Sequence, residues 1–175
     1  TLYPPLMTSA SYQVLDAATP QTTYDSLTGE GSAIVQGDAM TMLERLPDRC
    51  VQTVVTSPPY WSLRDYGIEG QIGLEQSVQS FIKSLVRVFE QVNRVLKDDG
   101  TFWLNIGDTY ANDSKWGGAT GGKHAEGLHG NTGVGRGKRD SGLKAKDLCG
   151  VPWRVAFALQ DAGWYLRCDI VWEKP

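Results

Sequence analysis

The run Cys50-Val51-Gln52-Thr53-Val54-Val55 leads directly into Thr56-Ser57-Pro58-Pro59-Tyr60-Trp61. Its first half is rich in β-branched residues and too short for a helix, so it predicts a buried parallel strand. Two consecutive prolines then end that strand, since each lacks an N–H and fixes φ. The residue before a proline is also pushed toward extended geometry. Ser57 and Pro58 are therefore expected to present carbonyl oxygens that no strand or helix claims, beside a hydroxyl and an aromatic face. Such a set suits a flat molecule carrying an amino group.

Outward from this stretch the chain reads as strands alternating with helices. Ser32–Gln36 predicts a strand ended by Gly37-Asp38, and residues 39–46 a short helix with Met42, Leu43 and Leu46 at helical spacing. Asp38 suits the N-cap of that helix. Ser77 caps a long helix whose stripe of Phe81, Leu85, Val88, Phe89, Val92 and Leu96 predicts core packing, with Asp98-Asp99-Gly100 as its end. Residues 101–108 predict a second buried strand. Pro152 opens a helix through Val155, Ala156 and Leu159 to Asp161, stopped by Gly163. The alternation over residues 164–175 predicts a last strand. Residues 1–31, rich in Thr, Ser, Pro and Tyr without a period, predict an irregular arm with at most a short helix.

A length of 175 residues suits one domain, and a net charge of −3 argues against a protein that coats nucleic acid indiscriminately. Charge interrupts every long apolar stretch, so neither a transmembrane run nor a signal peptide is predicted. A cytoplasmic location follows. Cys50, Cys149 and Cys168 are odd in number and far apart, which predicts buried, reduced thiols rather than a disulfide framework.

Two loops carry candidate contacts. In the polar, aromatic stretch after the prolines, Arg64, Asp65 and Tyr66 are candidates for substrate, with an Arg64–Asp65 ion pair as the other reading. Residues 111–146 are glycine-rich with scattered positive charge, and so long a loop is usually functional or disordered. Lys123, Arg136, Lys138 and Arg139 are candidates for backbone phosphates. A solvated insertion without a partner is the alternative. Gly133-Val134-Gly135-Arg136-Gly137 is no dinucleotide fingerprint, because no strand precedes it and no helix opens from it. His124 and His129 lack neighbouring ligands, so no metal site is predicted.

The order strand, Ser-Pro-Pro-Tyr, helix, Asp-Gly, aromatic strand, Gly-Asp resembles the catalytic half of S-adenosylmethionine-dependent DNA amino-methyltransferases. Trp172-Glu173-Lys174-Pro175 is similar to the Trp-x-Lys-Pro that ends a comparable strand there. The resemblance runs from about Ala33 to the last residue, apart from the glycine-rich loop. It implies an α/β fold, part of a Rossmann-like methyltransferase sheet in a three-layer α/β/α arrangement, with residues 32–175 as the catalytic part and residues 111–146 as a long insertion. The cofactor turn of the Phe-x-Gly-x-Gly kind is missing. In the subgroup that places the catalytic motif first, that turn is expected beyond residue 175, in the same parent chain or a second one.

The resemblance further implies methyl transfer from S-adenosyl-L-methionine to the exocyclic amino group of a flipped base in double-stranded DNA. Ser57, Pro58, Pro59 and Tyr60 would be catalytic and Asp38 would lie beside the cofactor. Trp61, Asn105 and Asp108 join the candidates for the base, with core packing or strand capping as their other readings. The serine form of the motif goes mostly with N4 of cytosine. N6 of adenine, an RNA or protein-glutamine substrate, and a nucleic-acid-binding module without catalysis remain alternatives. A role in restriction-modification, an association with the nucleoid, and inactivity of residues 1–175 on their own are also expected.

Overall fold

The computed structural model describes residues 12–16, 32–111 and 141–173. The chain divides into two compact units, one of residues 1–54 and 91–101, the other of residues 55–90 and 102–175. It is a mixed α/β structure in which strands β1 (Tyr12–Asp16) and β2 (Ser32–Gln36) pair in parallel, from Tyr12 opposite Ser32 to Asp16 opposite Gln36. The sequence reading leaves Tyr12–Asp16 in an irregular arm. The correction has a non-local cause, since those residues are a strand by virtue of their ladder with β2.

In the first unit, helix α1 (Ala39–Glu44) follows β2, and the Asp38 carboxylate accepts from Thr41 N at 2.9 Å. The expected N-cap is thus in place. Arg94 fastens the end of α1 and the chain after it: its guanidinium donates to Leu43 O (2.8 Å), Leu46 O (2.9 Å) and the Asp48 carboxylate. The exposed pair Arg49–Asp98, at 3.4 Å, adds little.

Strand β3 (Val51–Thr56) pairs with β4 (Leu96–Leu104). Cys50 N donates to Val95 O at one end, and Asn105 N to Thr56 O at the other. Residue numbers rise together along both strands, so the pair is parallel. Helix α2 (Val78–Val95) passes straight into β4, so Leu96 opens a strand and Asp98-Asp99-Gly100 lies within it instead of ending the helix. The Gln52 amide holds that stretch, donating to the Asp99 carboxylate at 3.2 Å. The second strand accordingly runs over 96–104, not 101–108. Nor is β3 buried: its residues are half-buried or exposed, and Val55 is 76% exposed. Its one partner strand among the described residues is β4.

In the second unit, α2 begins on its expected cap, with Ser80 N donating to Ser77 Oγ at 3.1 Å. Val78, Phe81, Leu85 and Phe89 are the buried face of α2 here, and Val151, Val155 and Leu159 that of helix α3 (Val151–Asp161). Phe102 packs in tilted contact against Phe89 and Trp164, with ring centroids 4.8 and 5.0 Å away. Gly163, at φ +94°, closes α3: its N–H reaches Gln160 O while Trp164 N reaches Leu159 O. The expected strand after it does not form, for residues 164–173 take part in no ladder among the described residues. Cys149 is buried and Cys50 half-buried, but Cys168 is exposed on that segment, contrary to expectation. Among the described residues no helix is long and apolar enough to cross a membrane.

Candidate active site

β3 delivers the chain to Ser57, where two prolines remove the donors a further ladder needs. Ser57 is exposed, while Pro58, Pro59 and Tyr60 are half-buried. Among the described residues, neither the Ser57 nor the Pro58 carbonyl accepts a hydrogen bond. The Ser57 hydroxyl makes one long contact, 3.5 Å to the Tyr60 hydroxyl. A hydroxyl, two carbonyl oxygens and part of an aromatic ring are therefore available at the loop, as the sequence predicts.

What holds this loop was not foreseen. Gly73 sits beneath it at φ +102°, and a Cβ there would lie 3.1 Å from Tyr60 O and 3.2 Å from Pro59 Cβ. Its carbonyl accepts from Ser62 N at 2.8 Å, and its N–H donates to the Glu75 carboxylate at 2.8 Å. Gly107 approaches the loop through the Tyr60 ring, since a Cβ on it would stand 2.8 Å from Tyr60 Cε2 and 3.1 Å from Cδ2. Nothing local in Ile106-Gly107-Asp108 or Gly73-Leu74-Glu75 signals a partner that far along the chain.

Trp61 is only 4% exposed, and its indole N–H donates to Glu75 O at 3.0 Å. It packs in the core, which is the other of its two expected readings. Its size and its satisfied N–H suit burial. Arg64, Asp65 and Tyr66 belong to a turn built by Gln71, whose amide accepts from Tyr66 N (2.7 Å) and donates to Arg64 O (2.8 Å). Asp65 accepts from Gly67 N at 2.7 Å, and no Arg64–Asp65 ion pair forms among the described residues. Arg64 and Tyr66 are exposed.

Asn105 extends the β3–β4 ladder through its backbone and leaves its side chain exposed. Asp108 is a cap: its carboxylate accepts from Thr109 N (2.8 Å), Gly150 N (2.9 Å) and Val151 N (3.0 Å). That carboxylate serves the start of α3, where Gly150 at φ +66° has no side chain to do so. Beside it Tyr110 bridges Leu148, Ala111 N donates to Asp147 O, and Lys146 N donates to Ala111 O. The two ends of the glycine-rich stretch thus stand together, four residues beyond Gly107. Lys123, Arg136, Lys138 and Arg139 lie outside the described residues.

Burial raises the Cys149 thiol above its ordinary pKa, and the negative charge of Asp108 adds to this, against the opposing Arg154 guanidinium. Asp38 is exposed in the first unit, with its carboxylate on Thr41. Among the described residues no cluster of His, Cys, Asp and Glu is placed to hold a metal ion.

Residues 51–175 match the family model described as DNA methylase. Type II methyltransferase M.XycI of Xanthomonas campestris pv. cyanopsidis is 55% identical over 83% of this chain and 47% of its own length. Type II methyltransferase M.Cfr9I of Citrobacter freundii is 51% identical over 83% and 47%. Type II methyltransferase M.SmaI of Serratia marcescens is 52% identical over 81% and 47%. The chain spans about half the length of these curated relatives. No solved structure matches it significantly. With the Ser-Pro-Pro-Tyr loop at the end of β3 and a family match that begins on that strand, the chain belongs to the DNA methylase family of N6/N4 amino-methyltransferases.

Proposed function

We propose that the chain forms the base-binding side of a site-specific DNA methyltransferase that modifies the exocyclic amino group of a flipped base, N4 of cytosine. The observation that carries this is the open loop, whose Ser57 and Pro58 oxygens accept no hydrogen bond from the described residues beside a half-exposed Tyr60. The relatives' activity as type II methyltransferases supports it. In this reading β1–β2 and β3–β4 belong to one Rossmann-like sheet in three layers, and residues 111–146 are an insertion on it.

An amino group inside a duplex is out of reach, so the base turns out of the stack. Tyr60 stacks on it, an interaction worth about 1–3 kcal/mol per base. The amino lone pair is delocalised into the ring and is a poor nucleophile. Hydrogen bonds from the two amino protons to the Ser57 hydroxyl and the Pro58 carbonyl favour a pyramidal nitrogen and return that lone pair. Serine is a weak base, so Ser57 aligns and polarises, and the proton leaves late, to water. Positioning of this kind supplies on the order of 7–11 kcal/mol of a barrier. The cations of residues 111–146 hold backbone phosphates, rooted beside Gly107 by the Ala111–Lys146 pairing.

S-adenosylmethionine, when bound, supplies a methyl group on a positively charged sulfur. The described residues fit it only in part. Asp38 offers an exposed carboxylate that already caps α1, and no Phe-x-Gly-x-Gly turn follows a strand. In this reading the turn belongs to the rest of the methyltransferase, since residues 1–175 span about half the length of the curated relatives. Residues 1–175 alone therefore bind the cofactor weakly in a calorimetric titration and methylate little.

The test is nucleoside mass spectrometry of DNA treated with the complete methyltransferase carrying this chain. N4-methylcytosine is expected. N6-methyladenine would move the substrate to adenine, and the absence of both would overturn the reading.

A further inference from the structure

We propose that Gly107, Gly73 and Glu75 are positioning residues that set the Tyr60 ring and the Pro59–Tyr60 peptide in place for the base, a role that rests on the function proposed above. The loop is met from two sides, by Gly107 at the Tyr60 ring and by the linked pair Gly73 and Glu75 at the Pro59–Tyr60 peptide. The backbone of Gly107 lies so close to the ring that a Cβ would stand 2.8 Å from Cε2, 3.1 Å from Cδ2 and 3.5 Å from Cζ. Real Cβ atoms essentially never come within 3.0 Å, so a side chain at 107 requires the ring or the backbone beside it to shift. That ring is tethered to Cα60 and has few ways to move without leaving its rotamer.

Gly73 presses on the other end of the same dipeptide. A Cβ there would crowd Tyr60 O at 3.1 Å and Pro59 Cβ at 3.2 Å, and φ of +102° disfavours any side chain. Proline cannot yield by changing φ, so crowding at Pro59 passes to Ser57 and Pro58. Glu75 fixes Gly73 in turn, accepting its N–H at 2.8 Å, while Glu75 O takes the indole N–H of the next residue in the loop, Trp61, at 3.0 Å. The loop's conformation is therefore set from Gly73–Glu75 at one side and Gly107 at the other, and not by the Ser-Pro-Pro-Tyr residues alone. Positioning matters for a reaction of this class, where a misplacement of about 1 Å costs about a hundredfold in rate.

The experiment is single-turnover methylation by the complete methyltransferase, after the wild type has been shown to yield a methylated base. Gly107→Ala should slow methyl transfer by about ten- to a hundredfold with S-adenosylmethionine affinity unchanged. If Gly107 acts through Tyr60, the double variant with Tyr60→Ala should be no slower than Tyr60→Ala alone. Glu75→Ala should also slow transfer, and Glu75→Gln, whose amide oxygen can still accept the Gly73 N–H, should recover most of the rate. The Glu75 pair decides the matter should Gly107→Ala not fold. A wild-type rate in Gly107→Ala, additive losses in the double variant, or equal losses in both Glu75 variants would overturn the positioning role. Failure of the wild type itself to methylate DNA would count against the proposed function instead.

Discussion

The Asp108 carboxylate accepts from the backbone N–H of Val151 at 3.0 Å, across more than forty residues of chain, and so begins a helix to which it does not belong. The same carboxylate takes Gly150 N and Thr109 N, so one side chain ties the end of the β4 segment to the start of α3. Replacing it with alanine should cost about 1–2 kcal/mol, the upper part of the range for a lost cap. Asp108→Asn, which retains one acceptor oxygen, should lose less. The midpoint of urea unfolding measures both. An unchanged midpoint in Asp108→Ala would show that these three hydrogen bonds contribute nothing to folding.

Ser57→Ala tests the loop's chemistry directly. If the hydroxyl contributes one hydrogen bond to the oriented amine, its removal should slow turnover by about tenfold, the equivalent of ~1.4 kcal/mol. Cofactor affinity should be nearly intact, because in the proposed mechanism the hydroxyl bonds the amino group of the base and not the cofactor. Unchanged turnover in the complete enzyme would remove Ser57 from the mechanism.

These residues show how far the sequence carries. Caps and breakers act within a few positions, so Asp38 before α1, Ser77 before α2, and the prolines after β3 were all legible. Tyr12–Asp16 was not, since its strand character rests on the ladder with β2. Leu96 continues the apolar period of α2 in sequence, yet the chain leaves the helix before it. Periodicity alone does not separate a helix's last turn from a strand's first residue. Ser57, Pro58 and Tyr60 were legible from composition and order, whereas the approach of Gly107 to Tyr60 is a tertiary fact with no local trace. The burial of Trp61 is non-local in the same way, because its acceptor on Glu75 lies fourteen residues on.

Cys149 gives a pH dependence. Its pKa is raised chiefly by burial, so the folded protein binds the thiol proton more tightly than the unfolded one does. The stabilising contribution is complete below the unfolded thiol's pKa, about 8.5, and is lost as pH rises through the folded value. Folding stability should therefore fall above about pH 8.5, and Cys149→Ala should remove that part of the slope. In the native protein at mildly alkaline pH, iodoacetamide should modify the exposed Cys168 and spare Cys149. Equal rates at the two thiols would contradict the assignment.

The segment after α3 makes a different kind of prediction. Its sequence alternates as a strand does, yet residues 164–173 have no ladder, and Tyr165, Val171 and Trp172 are 89%, 82% and 81% exposed. An exposed apolar stretch that belongs to no ladder among the described residues is a template for pairing with another chain. Residues 1–175 on their own should therefore self-associate as concentration rises, with the mass measured by light scattering after size-exclusion chromatography. Val171→Lys places a charge on the exposed stretch and should shift the population toward monomer, since a buried unpaired ammonium opposes strand pairing. The substitution touches none of the buried side chains of α2 or α3, so its unfolding midpoint should stay within about 0.5 kcal/mol of the parent's. Identical mass distributions for the two proteins at every concentration would show that the exposed segment is inert.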